Sequence, residues 1–230
     1  FLLESRDDKK GRYSFIAKKP FAEIQGRDRE VTIIEGDKLT KRQGKILDLV
    51  KEYMSNFKVQ PTDIIPFIGG AVGTVGYDLI RQSEKLPEPN KDLIGVPDLH
   101  LMITKEMIAY DHLHQQIYLL VIEEESEEGE KRAREKMLLM EEELSKDKEI
   151  EPIKNNVKYK KLTSNTTKEE YINKIKKSQE YMQKGDIFQI IISKRWTLET
   201  DEDAFMLYRR LRRLYPSPYL YYLNFRDYQV

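Results

Sequence analysis

The 230-residue chain contains no cysteine. Disulfide frameworks, zinc–thiolate centres and cysteine nucleophiles are therefore excluded. Zero cysteine is compatible with the cytoplasm, which is the expected location. There is no net charge either, because 40 Lys and Arg balance 40 Asp and Glu. A global electrostatic pull toward nucleic acid or an anionic membrane is absent, and neither partner is expected. No apolar run approaches the length that spans a bilayer. No basic segment followed by an apolar one marks a secretory signal. The chain begins at Phe1 and ends at Tyr228-Gln229-Val230 directly after a strand signal, so a piece of a longer protein is expected.

What is present suffices for a real core. Glu30–Glu35 is a β-type run closed by Gly36-Asp37. Ile46, Val50, Tyr53 and Phe57 recur at helical steps, with Leu47 and Met54 widening the stripe. Pro61 marks a boundary. Glycines 70, 73 and 76 punctuate the apolar stretch from Pro66 to Tyr77. Neither a dinucleotide fingerprint nor a phosphate loop has that spacing, so the stretch is expected to be a strand with close backbone packing. Lys85–Pro97 is an irregular surface loop. Leu101–Tyr110 and Gln116–Ile122 form a hairpin around Asp111-His112-Leu113-His114. Two histidines in one turn can ligate a metal, but solvated turn histidines are expected here. Glu123–Lys146 is a charged, exposed helix with Leu138, Leu139 and Leu144 as its apolar face and Glu130 paired to Arg134.

Polar residues 147–165, with Pro152 and Asn155-Asn156, mark a boundary between a first region over 1–150 and a second over 163–230. Thr167-Lys168-Glu169-Glu170 is a capping box. Tyr171, Ile175, Ser178 and Met182 form the buried face of the helix it opens. Ile187–Leu198 is β-type. Gln189, Ser193 and Arg195 share one face, which either lines a polar cavity or is half exposed. Thr200–Asp203 caps a further helix with Phe205, Tyr208 and Leu211 inward. That helix stops before Pro216-Ser217-Pro218, where two prolines stiffen the backbone ahead of the aromatic run Tyr219–Leu223. Such an edge is either a helix stop before a core strand or a surface that reads a ligand with main-chain groups. No Ser–His–acid arrangement or metal cluster follows from spacing. The residues themselves yield a mixed α+β protein with an unidentified site.

Five motifs in order carry a resemblance: Phe1-Leu2-Leu3-Glu4-Ser5, Gly11-Arg12-Tyr13-Ser14-Phe15, Gly69–Gly73 with Gly76-Tyr77-Asp78, Gly185–Gln189 through Ser193-Lys194-Arg195, and Pro216-Ser217-Pro218-Tyr219. Together they resemble the large subunit, component I, of the anthranilate synthases, over essentially the whole chain. The resemblance implies an α+β fold of two β-sheets packed on each other with outer helices, incomplete because the C-terminal part is missing. It implies conversion of chorismate and ammonia to anthranilate and pyruvate in tryptophan biosynthesis. It implies magnesium, a glutamine amidotransferase partner and feedback inhibition by L-tryptophan. Residues 1–150 match the N-terminal region, and 163–230 the beginning of the chorismate-binding domain.

By the same resemblance, Glu4, Ser5, Pro218, Tyr219 and Leu220 are the L-tryptophan site. Tyr215 replaces the usual asparagine and Leu220 the usual methionine; leucine conserves volume approximately. Gln189 stands where isochorismate synthases carry a water-activating lysine, and a neutral amide is no such base. Gln189 is thus a candidate lining residue, and ammonia is favoured as nucleophile. The main catalytic and metal-binding residues are expected downstream of Val230, so no metal ligand is assigned and this polypeptide alone is expected to be inactive. The alternatives are a stand-alone amino-acid-binding regulatory module and an aminodeoxychorismate synthase component I.

Overall fold

The computed structural model describes residues 1–5, 11–60, 62–89, 91–153, 157–215 and 217–230. The boundary drawn at Pro61, the Asn155-Asn156 pair and Pro216 lie outside the described residues. The chain divides into two compact units: Phe1–Ile150 with Tyr215–Val230, and Glu151–Leu214. The segment that closes the sequence thus belongs with the first 150 residues.

The first unit holds two five-stranded antiparallel sheets. Sheet one runs β12 (Leu220–Tyr222), β1 (Leu2–Glu4), β2 (Tyr13–Ile16), β8 (Glu106–Asp111) and β9 (Gln116–Val121). Sheet two runs β5 (Lys38–Gln43), β4 (Glu30–Glu35), β3 (Ala22–Arg27), β7 (Leu99–Thr104) and β6 (Gly70–Val75). Period-two alternation gives sheet two different faces. Ala22, Ile24, Val31, Ile33, Leu99 and Ile103 are buried together with Ile46 and Leu49 of helix α1 (Ile46–Met54) and with Leu79 of a 3-10 turn. The other face carries Glu23, His100 and Met102, also buried. There Met102 and Val72 pack with Phe1 and Leu3 of sheet one and with Leu223, Phe225 and Tyr228.

The run expected as a single strand over 101–110 is two strands in two sheets. β7 and β8 meet at Lys105, where the chain turns a corner, held by Thr104 Oγ1 donating to the Glu106 carbonyl at 2.8 Å. The burial pattern changes there: β7 is buried on both faces, with Ile103 in the sheet-two core and Met102 on the other side, whereas β8 alternates, with Met107, Ala109 and Asp111 buried. In α1 Leu49 takes the inward place and Leu47 is exposed. Helix α2 (Glu127–Ser145) is capped by Ser126, which accepts from Gly129 N–H at 3.0 Å. Its expected leucine face is not the inward one. Gly129 and Met140 are buried, while Leu138 and Leu139 are exposed. Lys136 of the helix pairs with Glu106 and Glu123 at 2.8 and 2.7 Å.

The second unit contains β10 (Lys161–Ser164) paired antiparallel with β11 (Trp196–Glu199), α3 (Lys168–Gln183) and α4 (Ala204–Leu214). The capping box is formed: Thr167 Oγ1 accepts from Glu170 N–H at 3.2 Å and Glu170 accepts from Thr167 N–H at 2.8 Å. The expected buried face of α3 is not buried, and Ile175 and Met182 are exposed. The expected strand over 187–198 is shortened to β11. The ladder with β10 ends where Asn165 and Arg195 exchange hydrogen bonds at 3.1 and 2.9 Å. Upstream of Arg195 the segment has no ladder partner among the described residues, so it is irregular. In α4 Tyr208 is buried, but Phe205 and Leu211 are exposed.

Two local constraints generate tests. A Cβ at Gly73 would sit 1.9 Å from the His100 carbonyl oxygen, so β6 can approach β7 only with glycine there. Gly73→Ala is expected to lower Tm by roughly 4–10 °C in a thermal melt, and an unchanged Tm would contradict the close approach. The second constraint is the turn between β8 and β9. Asp111 is fully buried, and Arg12 donates to it through Nε at 3.1 Å and Nη2 at 2.8 Å. Leu113 and His114 N–H groups add bonds at 2.9 and 3.2 Å, and the His114 ring lies at 2.9 Å. The Arg12 guanidinium holds this carboxyl well below its ordinary 3.8, against the opposing effect of burial. A depressed folded value means that the stability is whole above the unfolded value and is lost as pH falls toward the folded one. Tm should therefore fall more steeply from about pH 4 to about pH 2 in the wild type than in Asp111→Asn, and equal slopes would contradict the clamp.

Candidate functional site

The residues singled out from the two ends of the chain meet in sheet one. β1 lies between β2 and β12, with Glu4 opposite Ser14 on one side and Leu220 on the other. Directly opposed residues point to the same face, so Leu220, Glu4 and Ser14 form one row. Tyr221, Leu3 and Phe15 form the next row on the other face. By alternation Ser5 and Tyr219 continue that second face at the end of the ladder. Because the strands are antiparallel, the end of β1 meets the start of β12. Glu4, Ser5, Pro218, Tyr219 and Leu220 therefore converge at one rim of the sheet.

Local sequence shapes this rim. Ser217 Oγ accepts from Tyr219 N–H at 3.3 Å, which turns the chain into β12. Pro218 and Leu220 are half-buried, whereas Tyr219 is 86 % exposed and so presents its ring to solvent. Ser5 packs onto Gly11: a Cβ there would lie 1.9 Å from Ser5 Oγ and 2.9 Å from its carbonyl carbon. Any side chain at position 11 therefore displaces Ser5. The glycine of the Gly11–Phe15 motif holds open the place that Ser5 occupies.

The same rim carries groups that sequence reasoning did not assign to the site. β2 starts and β8 ends there, with Tyr13 opposite Asp111. The Arg12–Asp111 clamp thus lies at this end of the sheet, and the Arg12 guanidinium also stands 4.8 Å over the Tyr13 ring. Its side chain remains 44 % exposed, so it can meet a ligand without leaving Asp111. Ser14 Oγ and His112 Nε2 are 2.8 Å apart, and His112 meets the Tyr110 ring edge-on. Both turn histidines are exposed as expected, yet each is held by a partner. Arg12 was legible in the motif Gly11-Arg12; its pairing with residue 111 was not, because it is a contact across strands.

Gln189 belongs to the second unit, exposed in the irregular segment before β11. A cavity of about 360 Å³ lies elsewhere in the first unit, between Ile16 and Ile108 of sheet one and Met140 and Leu144 of α2. None of the five converging residues lines it. Among the described residues no group of three or more His, Asp or Glu is placed to hold a metal ion. Among them, too, no helix is long and apolar enough to cross a membrane.

The profile of the chorismate binding enzymes matches residues 1–230. Anthranilate synthase component 1 of Acetivibrio thermocellus is 36% identical, covering 100% of this chain and 49% of that protein. The protein of the same name from Bacillus subtilis (strain 168) is 31% identical, covering 100% of this chain and 48% of its own length. The crystal structure of anthranilate synthase component I from Streptococcus pneumoniae TIGR4 superposes with a TM-score of 0.79 at 28% identity, over 95% of this chain and 49% of that one. The chain spans about half the length of the curated relatives it matches. With a match over its whole length and a fold shared with that crystal structure, the chain belongs to the chorismate binding enzyme family.

Proposed function

We propose that the chain is the N-terminal part of an anthranilate synthase component I, which converts chorismate and ammonia to anthranilate and pyruvate in the cytoplasm. A glutamine amidotransferase subunit supplies the ammonia. The part described here carries the site for the end product, L-tryptophan. The observation that carries the reading is the register of β1 with β12, which sets Glu4 opposite Leu220.

The chemistry at the rim suits a zwitterionic amino acid. A free amino acid needs an anionic partner for its ammonium, a cationic or N–H partner for its carboxylate, and apolar walls for its side chain. Glu4 supplies the first. Arg12, whose guanidinium stays partly exposed beside Asp111, supplies the second together with the Ser5 hydroxyl. Pro218, Tyr219 and Leu220 supply apolar surface for an indole. Tyr215 is exposed next to this segment and gives the rim more bulk than the asparagine usual there.

Magnesium is part of the proposal for the whole enzyme, where it would stabilise negative charge on the substrate. Its ligands are proposed to lie in the rest of the enzyme, while this chain contributes the effector site. The favoured neutral Gln189 is consistent with ammonia rather than activated water as nucleophile.

Calorimetric titration of the chain with L-tryptophan tests the effector reading. Binding is expected for the wild type, weakened about tenfold or more by Ser5→Ala and by Glu4→Gln, since each removes a hydrogen bond to a charged ligand group. No heat from the wild type, or equal affinity in all three, would contradict it.

A further inference from the structure

The β1–β12 ladder is only three pairs long. A one-residue slip in such a ladder transfers every side chain of β12 to the other face. The sequence of β12 and its flanks, Tyr219-Leu220-Tyr221-Tyr222-Leu223, has no polar–apolar alternation to resist a slip. Something beyond the ladder must fix which residue stands opposite Glu4.

The hairpin that follows β12 supplies it. Leu223 and Val230 exchange backbone hydrogen bonds at 2.8 and 2.9 Å, and Phe225 N–H donates to the Tyr228 carbonyl at 3.0 Å. Leu223 and Phe225 are both buried against Met102 of β7. Polar groups then fix the hairpin to sheet two at defined points. Arg226 Nε donates to Glu23 at 3.0 Å, and the other Glu23 oxygen lies 3.1 Å from His100 Nε2. His100 Nδ1 lies 3.0 Å from the Tyr228 hydroxyl. The Phe225 ring stacks on His100 with centroids 4.0 Å apart.

These partners demand one tautomer. Nε2–H donates to the Glu23 carboxylate, and Nδ1 accepts from the Tyr228 hydroxyl. Burial, which holds His100 below its ordinary 6.5, favours this neutral ring against the opposing pull of Glu23. The result is a directional chain of hydrogen bonds from Tyr228 through His100 to Glu23, closed by Arg226. Each bond polarises the next, and a shift of the hairpin by one residue breaks several at once. His100 and Glu23 are nearly inaccessible, at 2 % and 5 % exposed, so a broken bond there is not replaced by bulk water.

We propose that Glu23, His100, Arg226 and Tyr228 are positioning residues that lock the register of β12 on β1 and thereby set the affinity of the rim for its amino-acid effector. None of the four belongs to the five converging residues; they act through Leu223 on the strand that carries Leu220. The second half of the proposal rests on the effector reading above, and the first half does not.

The test uses the 230-residue chain with Tyr228→Phe and Glu23→Gln, which keep ring stacking and shape. Hydrogen exchange is followed in the peptide over 217–230, together with the L-tryptophan dissociation constant. Exchange there is expected to quicken and affinity to fall about three- to tenfold in each variant, the scale of one lost net hydrogen bond. Ile24→Val, on the opposite face of sheet two, is the control: it should lower Tm without changing either readout. Wild-type exchange and wild-type affinity in Tyr228→Phe and Glu23→Gln would overturn the lock. If Ile24→Val weakens binding as much as they do at equal loss of Tm, the four residues only stabilise the fold and the proposal fails. A wild type that binds no tryptophan overturns the effector reading, and the register lock is then decided by the exchange data.

Discussion

The pairing of β12 with β1 is the contact on which the first unit's candidate site depends, and it joins residues more than two hundred positions apart. Closing so long a loop costs only slightly more than closing one half its length, since the entropy rises with the logarithm of length. The difficulty is specificity rather than cost. Three ladder pairs cannot decide their own register when the incoming strand is a nearly uniform aromatic run. Without β12, Glu4 keeps Ser14 as its lateral neighbour and loses the apolar wall on its other side.

Sheet two answers this by having two unlike faces. One is apolar and closes over α1. The other combines Met102 and Val72 with the buried polar pair Glu23 and His100. Apolar contact of Leu223 and Phe225 brings the final hairpin onto this face but tolerates sliding, because dispersion and hydrophobic burial are nearly non-directional. Hydrogen bonds to Glu23 and His100 do not tolerate it. The division of labour is the general one in which apolar area supplies stability and a satisfied polar network selects one arrangement. At the rim itself the Arg12–Asp111 clamp fixes the turn between β8 and β9 in the same way.

Much of this was legible in the sequence, and what was missed has a common cause. Local signals held: the Thr167 capping box, the four-residue turn around His112, and the strand over Gly70–Val75 are all formed. Their information lies within a few residues. The five converging residues were legible only as motifs at the two ends; that β1 and β12 are neighbours is a long-range fact. The clamp to Asp111 and the lock at His100 were invisible because strand partners decide them. Burial of α3 and the length of the strand after Ile187 were overestimated, since apolar periodicity shows a face meant to be covered and not what covers it. Leu138 and Leu139 misled for another reason: α2 buries Gly129 and Met140 instead, and Lys136 pairs with Glu106 and Glu123.

The absence of cysteine makes the central claim directly measurable. Residues directly opposite in an antiparallel ladder have Cα atoms about 4.5–5.5 Å apart, within disulfide range. Leu3 and Tyr221 are such a pair, whereas Leu3 and Leu220 are one step out of register and on opposite faces. Under mild oxidation, Leu3→Cys with Tyr221→Cys should cross-link within the chain, as read by peptide mass mapping. Leu3→Cys with Leu220→Cys should stay reduced. Cross-linking of the second pair in preference to the first, or of neither, would contradict the register on which the site is built.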